Sequence, residues 1–184
     1  MEVCCWSVWG TPKSVIKKYI ESTITQPPIV LCLGNNLAVE DCLGPLVGTT
    51  LKKMNYSGFV YGTLDAPINS SSLECAYNFV KKVHPNKQIL VVDASTTKDK
   101  NRLGKIVLAK EYKPLNPNLK NVNLKADWFL FGVCSTHQNN IFSIAGAKLG
   151  IVKKIADVIS DVIIYIDNKN FCKNFNPQSL EISC

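Results

Sequence analysis

Two short apolar runs, each leading to an acid, constrain this chain more than any other feature. The first, Ile29-Val30-Leu31-Cys32-Leu33, passes through Gly34 into a loop that reaches Asp41. The second, Ile89-Leu90-Val91-Val92, runs straight into Asp93-Ala94. Neither run alternates polar with apolar residues, so each predicts a strand covered on both faces, as in a parallel sheet flanked by helices. In open α/β sheets, ligands bind where parallel strands end. Two carboxylates delivered to that edge could share one site and polarise a water, with or without a metal ion.

The segments around the runs have the spacing of alternating strands and helices. Residues 12–22 predict a short helix, with Thr11 as N-cap and Pro12 in the first turn, and Gln26-Pro27-Pro28 then breaks the chain. A helix is expected from near Asp41 to about Asn55, with Leu43, Leu46, Val47, Thr50, Leu51 and Met54 on its inner face. Residues 58–63 read as a strand. Asn69 or Ser70 then caps a helix reaching about Val83, with Leu73, Ala76, Tyr77 and Val80 turned inward. The order β-α-β-α-β predicts a parallel sheet with right-handed crossovers. Further strands are expected at 104–109 and 128–134, the latter followed by a loop through 135–140. A long last helix is marked by Ile144, Leu149, Val152, Ile155, Ala156, Ile159 and Val162. The expected organisation is one domain over 1–184. It has an N-terminal arm and short helix (1–26, irregular through 11), an α/β core (29–165) and a polar, loose tail (168–184). The stretch 111–125 is rich in Pro, Asn and Lys and reads as irregular.

Length and composition narrow the function classes. A chain of 184 residues can bury one full core, and 46% hydrophobic with 19% charged residues excludes a disordered chain. The net charge of +7 admits an anionic partner, but the lysines are spread out, as in Lys52-Lys53, Lys81-Lys82, Lys98, Lys100 and Lys153-Lys154. Without a dense basic block, nucleic-acid binding is not expected. The eight cysteines form no C-x-x-C pair, and Cys32 and Cys134 fall within apolar strands. They read as reduced thiols acting as small apolar residues, in a cytoplasmic protein. The start, Met1-Glu2-Val3-Cys4-Cys5-Trp6, lacks the regions of a signal peptide, and no stretch has transmembrane length, so no membrane association is expected.

Several familiar chemistries are absent. After Gly34 the next glycine is Gly44, so no dinucleotide fingerprint exists; there is also no P-loop and no Gly-x-Ser-x-Gly elbow. Gly34 lets the chain leave its strand sharply, and Gly44 and Gly48 let the first long helix pack closely on the sheet. Asp41 has two readings, a helix cap or a site carboxylate. Asp93 likewise either bonds the turn that follows it or serves a site, because a bare carboxylate at the end of four aliphatic residues is costly. His137, three residues beyond a buried strand, is either polar surface or a third group at the same edge, where Asp41, Asp93 and His137 could hold a divalent metal. Glu40 reads as solvent-facing, Asp65 as a turn former with a second-rank site role, and His84 as inert. Cys42 is a weak nucleophile candidate, since Asp41 beside it disfavours a thiolate.

The block from Gly34 to Pro45, ending Asp41-Cys42-Leu43-Gly44-Pro45-Leu46-Val47-Gly48, resembles the corresponding loop of the YyaC-type family of inferred spore proteases. Tyr61-Gly62-Thr63-Leu64-Asp65-Ala66-Pro67 and Val91-Val92-Asp93-Ala94 match that family in the same order, over about Ile29 to Ile163. Asn35-Asn36 and Glu40 depart from its pattern. The resemblance implies a three-layer α/β/α sandwich with a mostly parallel sheet, as in germination proteases and hydrogenase maturation proteases. It implies Asp41 and Asp93 as the catalytic pair of an endopeptidase acting on a spore or germination protein. By similarity to the maturation proteases, it also implies one divalent metal on Asp41, Asp93 and His137, or no cofactor at all. The alternative is a non-catalytic, sporulation-associated binding protein on the same scaffold.

Overall fold

A computed structural model of the chain describes residues 2–24, 26–111, 124–136 and 147–174. Its strands are β1 (Glu2–Ser7), β2 (Ile29–Cys32), β3 (Val60–Tyr61), β4 (Ile89–Thr97), β5 (Lys105–Ala109) and β6 (Trp128–Thr136). Its helices are α1 (Lys13–Thr23), α2 (Leu43–Lys53), α3 (Leu73–Val83) and α4 (Leu149–Asn174). The strands form one sheet in the order β1-β5-β6-β4-β2-β3. The β6-β4-β2-β3 half is parallel throughout, and β5 and β1 extend it antiparallel.

Helices cover both faces. On one side α1, α2 and α4 bury Ile16, Ile20, Leu43, Val47, Leu51, Ile155 and Ile159 against Val30, Leu90 and Leu130. On the other, α3 sets Leu73 and Val80 against Leu31, Val91 and Phe129. The result is the three-layer α/β/α arrangement with a mostly parallel sheet. Every residue of β2 is buried, as its unalternating sequence requires. Close packing of α2 depends on small residues: a Cβ on Gly48 would stand 1.9 Å from the Gly62 carbonyl oxygen, and one on Gly44 would stand 2.0 Å from that of Leu33.

The topology opens a crevice. From β2 the chain turns through α2 to β3 on one side; β4 lies on the other side of β2 and hands on toward β5 and β6. Connections leaving neighbouring strands in opposite directions leave a hollow at the carboxyl ends, here between β2 and β4.

Some elements differ from expectation. Residues 2–7 are an edge strand on β5 rather than an irregular arm. Trp6 is 6% exposed and meets Tyr19 of α1 edge-on, with ring centroids 5.4 Å apart. The sheet therefore begins well before residue 29. The Thr11 hydroxyl does not cap α1; it accepts the Ser7 amide and closes the turn out of β1. Helix α2 starts at Leu43 and ends at Lys53, which leaves Met54 41% exposed instead of on the inner face. Helix α3 starts at Leu73, because Asn69 closes its own turn by accepting the Ser71 amide. In α4, Val152, Ile155, Ala156, Ile159 and Val162 are buried as expected, but Leu149 at its start is exposed. The helix runs to Asn174, into the segment expected to be a loose tail. Ile144, 112–123, 137–146 and 175–184 lie outside the described residues.

The edge strand gives the first prediction. Trp6→Ala should destabilise the protein by about 3 kcal/mol, the cost of emptying a large buried aromatic site. Urea denaturation measures this; an unchanged midpoint would mean that residues 2–7 do not belong to the sheet.

Candidate active site

Three successive backbone amides build the crevice. Leu33 N–H donates to the Val92 carbonyl (2.8 Å), Gly34 N–H to Ile68 (2.9 Å) and Asn35 N–H to Asp41 (3.0 Å). The exit of β2 is thereby tied to β4, to the approach to α3 and to the residue carrying the first acid. Gly34 is required here. Its φ is +141°, and a Cβ would stand 2.0 Å from the Asp41 carbonyl oxygen. A single 3-10 turn, Val39–Asp41, then leads into α2. Asp41 does not cap α2: Cys42 holds the cap position and makes no side-chain cap bond.

Asp93 reaches the crevice from β4. The pairing of β2 with β4 ends at Cys32 and Val92, so Asp93 is the first residue of β4 beyond its neighbour. The strand does not stop there. It continues to Thr97 along β6, with a register shift between Ser95 and Thr96. The half-buried Asp93 carboxylate accepts the Ala94 amide on Oδ1 at 2.8 Å. The local bond anticipated as an alternative to a site role therefore coexists with a place on the crevice wall.

Asp41 and Asp93 line one cavity of about 450 Å³, a size suited to a small ligand or a short stretch of peptide. Glu40, Asn35 and Thr96 share the lining, and Asn69, Ser70 and Ser71, ahead of α3, form a further wall. Among the described residues of that lining, the titratable groups are all carboxylates. Burial, and behind it the charge of Glu40, push the Asp41 carboxyl up from the ordinary carboxylate range. Glu40, expected to face solvent, is exposed yet lines the cavity and acts on Asp41.

The thiols beneath the site are unsuited to nucleophilic roles. Cys134 is fully buried; burial first, then Cys42, Asp93 and Asp41, push its thiol up to about 12. Cys134 thus lies within electrostatic reach of both aspartates. Cys42 donates its thiol to the Val39 carbonyl, and burial raises it, with Asp41 and Glu40 adding to the effect. Cys4, Cys32, Cys42, Cys75 and Cys134 carry free thiols.

Other candidates sit elsewhere. Asp65 is exposed in a turn that Thr63 closes by accepting the Ala66 amide, away from the cavity lining. His84 ends α3, is 8% exposed and bonds the Tyr61 hydroxyl through Nε2 at 2.8 Å. His137 lies outside the described residues. Among the described residues, no three His, Cys, Asp or Glu side chains are grouped to hold a metal ion. Asp41 and Asp93 by themselves fall short of the three protein ligands that a catalytic zinc ion takes. The described side chains alone therefore do not complete a catalytic zinc site.

Two predictions follow from this geometry. Gly34→Ala should cost about 2–4 kcal/mol in urea denaturation, from a forced backbone clash at a conformation that side chains rarely adopt. The pH dependence of Asp41 has a definite sign. A carboxyl raised on folding contributes stability that is full below its unfolded value, about 3.9, and is lost as pH rises through its folded value. Asp41→Asn removes the disfavoured charge, so it should melt above wild type at neutral pH. The gap should close below about pH 4. Melting curves at both pH values check this; a neutral-pH loss of stability would mean that the Asp41 charge is compensated.

No described helix is long and apolar enough to cross a membrane. The chain is similar to a crystal structure of the NiFe hydrogenase maturation protease HycI from Thermococcus kodakarensis KOD1, at a TM-score of 0.46 and 18% identity, over 79% of this chain and 99% of that one. It is 27% identical to the uncharacterized protein YyaC of Bacillus subtilis (strain 168) over 169 residues, which span 84% of this chain and 77% of the relative. Residues 10–162 match the family model described as a protein of unknown function, DUF1256, and the chain belongs to that family.

Proposed function

We propose that the cavity between β2 and β4 hydrolyses a peptide bond with Asp41 and Asp93 as its catalytic pair. The observation that carries this reading is the convergence of two aspartates, 41 and 93, on one cavity from separate elements. Asp93 takes a proton from a water, which attacks the peptide carbonyl. Asp41, the carboxyl raised by its surroundings, is the member that holds a proton and gives it to the carbonyl oxygen as the tetrahedral intermediate forms. Collapse of that intermediate returns a hydroxyl proton to Asp41, breaks the C–N bond and passes the proton held by Asp93 to the leaving amine. The differing surroundings support the division of labour: one carboxylate has a backbone amide on Oδ1, the other lies beside a like charge.

The choice of a peptide bond rests on the likeness of the 34–48, 61–67 and 91–94 segments to the YyaC-type spore proteases. By the same likeness the substrate is a spore or germination protein, met in the cytoplasm of a spore-forming cell. A metal-assisted version would need His137 as a third ligand beside the two aspartates.

Purified protein incubated with an unfolded protein substrate should release peptides detectable by mass spectrometry. Asp41→Asn and Asp93→Asn should each lower the rate by about 10²-fold or more, the usual contribution of a general acid or base. Undiminished cleavage by both variants would refute the assignment. A wild type that binds peptide and never cleaves it would favour a non-catalytic binding protein on the same scaffold. Rate restored by a divalent ion after chelation, and lost in His137→Ala, would favour the metal-assisted version.

A further inference from the structure

Away from the cavity, at the opposite edge of the sheet, the entry to β3 carries a contiguous aromatic surface. Phe59 is 51% exposed, Phe79 53% and Val83 48%. Their continuity is shown by the rings: Phe59 lies on His84 with centroids 4.2 Å apart, and Tyr61 meets Phe79 edge-on at 6.1 Å and His84 at 5.9 Å. β3 is the last strand of the sheet and pairs only with β2 among the described strands. Exposed aromatics joined in this way at an open sheet edge mark an interaction surface rather than scattered surface residues.

Charge identifies the partner. Helix α2 leads into β3 and helix α3 carries Phe79 and Val83, and their last turns carry Lys52, Lys53, Lys81 and Lys82. Lys87 follows, and the segments 52–61 and 77–88 that build the corner contain no acid. Asp167 of α4, which reaches the corner, is buried and taken up by the amide and hydroxyl of Ser57. We propose that this corner docks an acidic segment of another protein, one that carries aromatic or aliphatic residues. Such a segment places apolar side chains against Phe59, Phe79 and Val83 and its carboxylates among the lysines, and the open edge of β3 offers backbone pairing. A second copy of this chain fits worse, because it would bring two lysine-rich corners together. Single-stranded nucleic acid also fits worse: it needs free ring faces for stacking, and His84 occupies one face of Phe59.

The test uses the whole protein and a random copolymer of glutamate and tyrosine as probe, followed by fluorescence anisotropy. Polyglutamate, a lysine–tyrosine copolymer and an oligothymidine are the comparison probes. The glutamate–tyrosine copolymer should bind about tenfold more tightly than polyglutamate, and added salt should weaken it. Phe79→Ser should remove that advantage, and Lys81→Glu with Lys82→Glu should weaken both acidic polymers, while both variants keep the wild-type melting temperature. Equal binding of the two acidic polymers, or binding unchanged in Phe79→Ser, overturns the proposal. So does preferred binding of the oligothymidine, or a dimer in sedimentation that Phe79→Ser dissolves. Hydrolysis at the cavity is not involved in any of these readings.

Discussion

The exit of β2 holds the crevice together. There, three consecutive peptide groups donate to three separate segments: Val92 in β4, Ile68 ahead of α3 and Asp41 in the turn before α2. Each such bond adds only about 1 kcal/mol net, yet leaving one of these buried groups unpaired would cost more than that. The three bonds therefore act as a geometric constraint more than as a store of stability. They require a residue without a side chain at position 34, since the Asp41 carbonyl occupies the space of a Cβ. The same demand for bare backbone recurs at Gly44 and Gly48, where α2 lies against Leu33 and Gly62. A glycine-containing loop that is no nucleotide motif is thus explained by packing: it brings one acid-bearing turn onto the end of a neighbouring strand.

The electrostatics of the hollow follow from that placement. Asp41 is half-buried just ahead of α2 and next to Glu40, so its ionised form is disfavoured. Asp93 sits where β4 outruns β2 and keeps a backbone amide on its carboxylate. Two carboxyl groups in one cavity with different surroundings form the pattern from which acid and base roles emerge. The buried thiols serve as packing beneath this pair, because a medium that disfavours a carboxylate disfavours a thiolate as well.

The parts of the fold legible in the sequence are those whose signal is local. β2, the first half of β4, and the inner faces of α2 and α3 all follow from runs of apolar residues at strand or helix spacing. The meeting of residues 41 and 93 followed from the rule that parallel strands deliver their ends to one edge. The strand limits that differ from expectation depend on partners distant in the chain. β1 is a strand only because β5 offers it an edge, and β4 continues past Asp93 because β6 runs beside it to Thr136. Asn69 and Ser70 carry the local signal of a helix cap, and the Asx turn of Asn69 displaces the helix start to Leu73. Glu40 reads as solvent-facing and is exposed, and the 3-10 turn that carries it also sets it on the lining of the hollow.

If Asp41 and Asp93 work as one unit, their effects on catalysis cannot multiply. The most direct measurement is the double-mutant cycle on peptide hydrolysis by wild type, Asp41→Asn, Asp93→Asn and the double variant. The account predicts that the double variant is no slower than the slower single one, so that nearly the whole loss appears with the first substitution. Losses that multiply, or a single variant that keeps wild-type turnover, would contradict it.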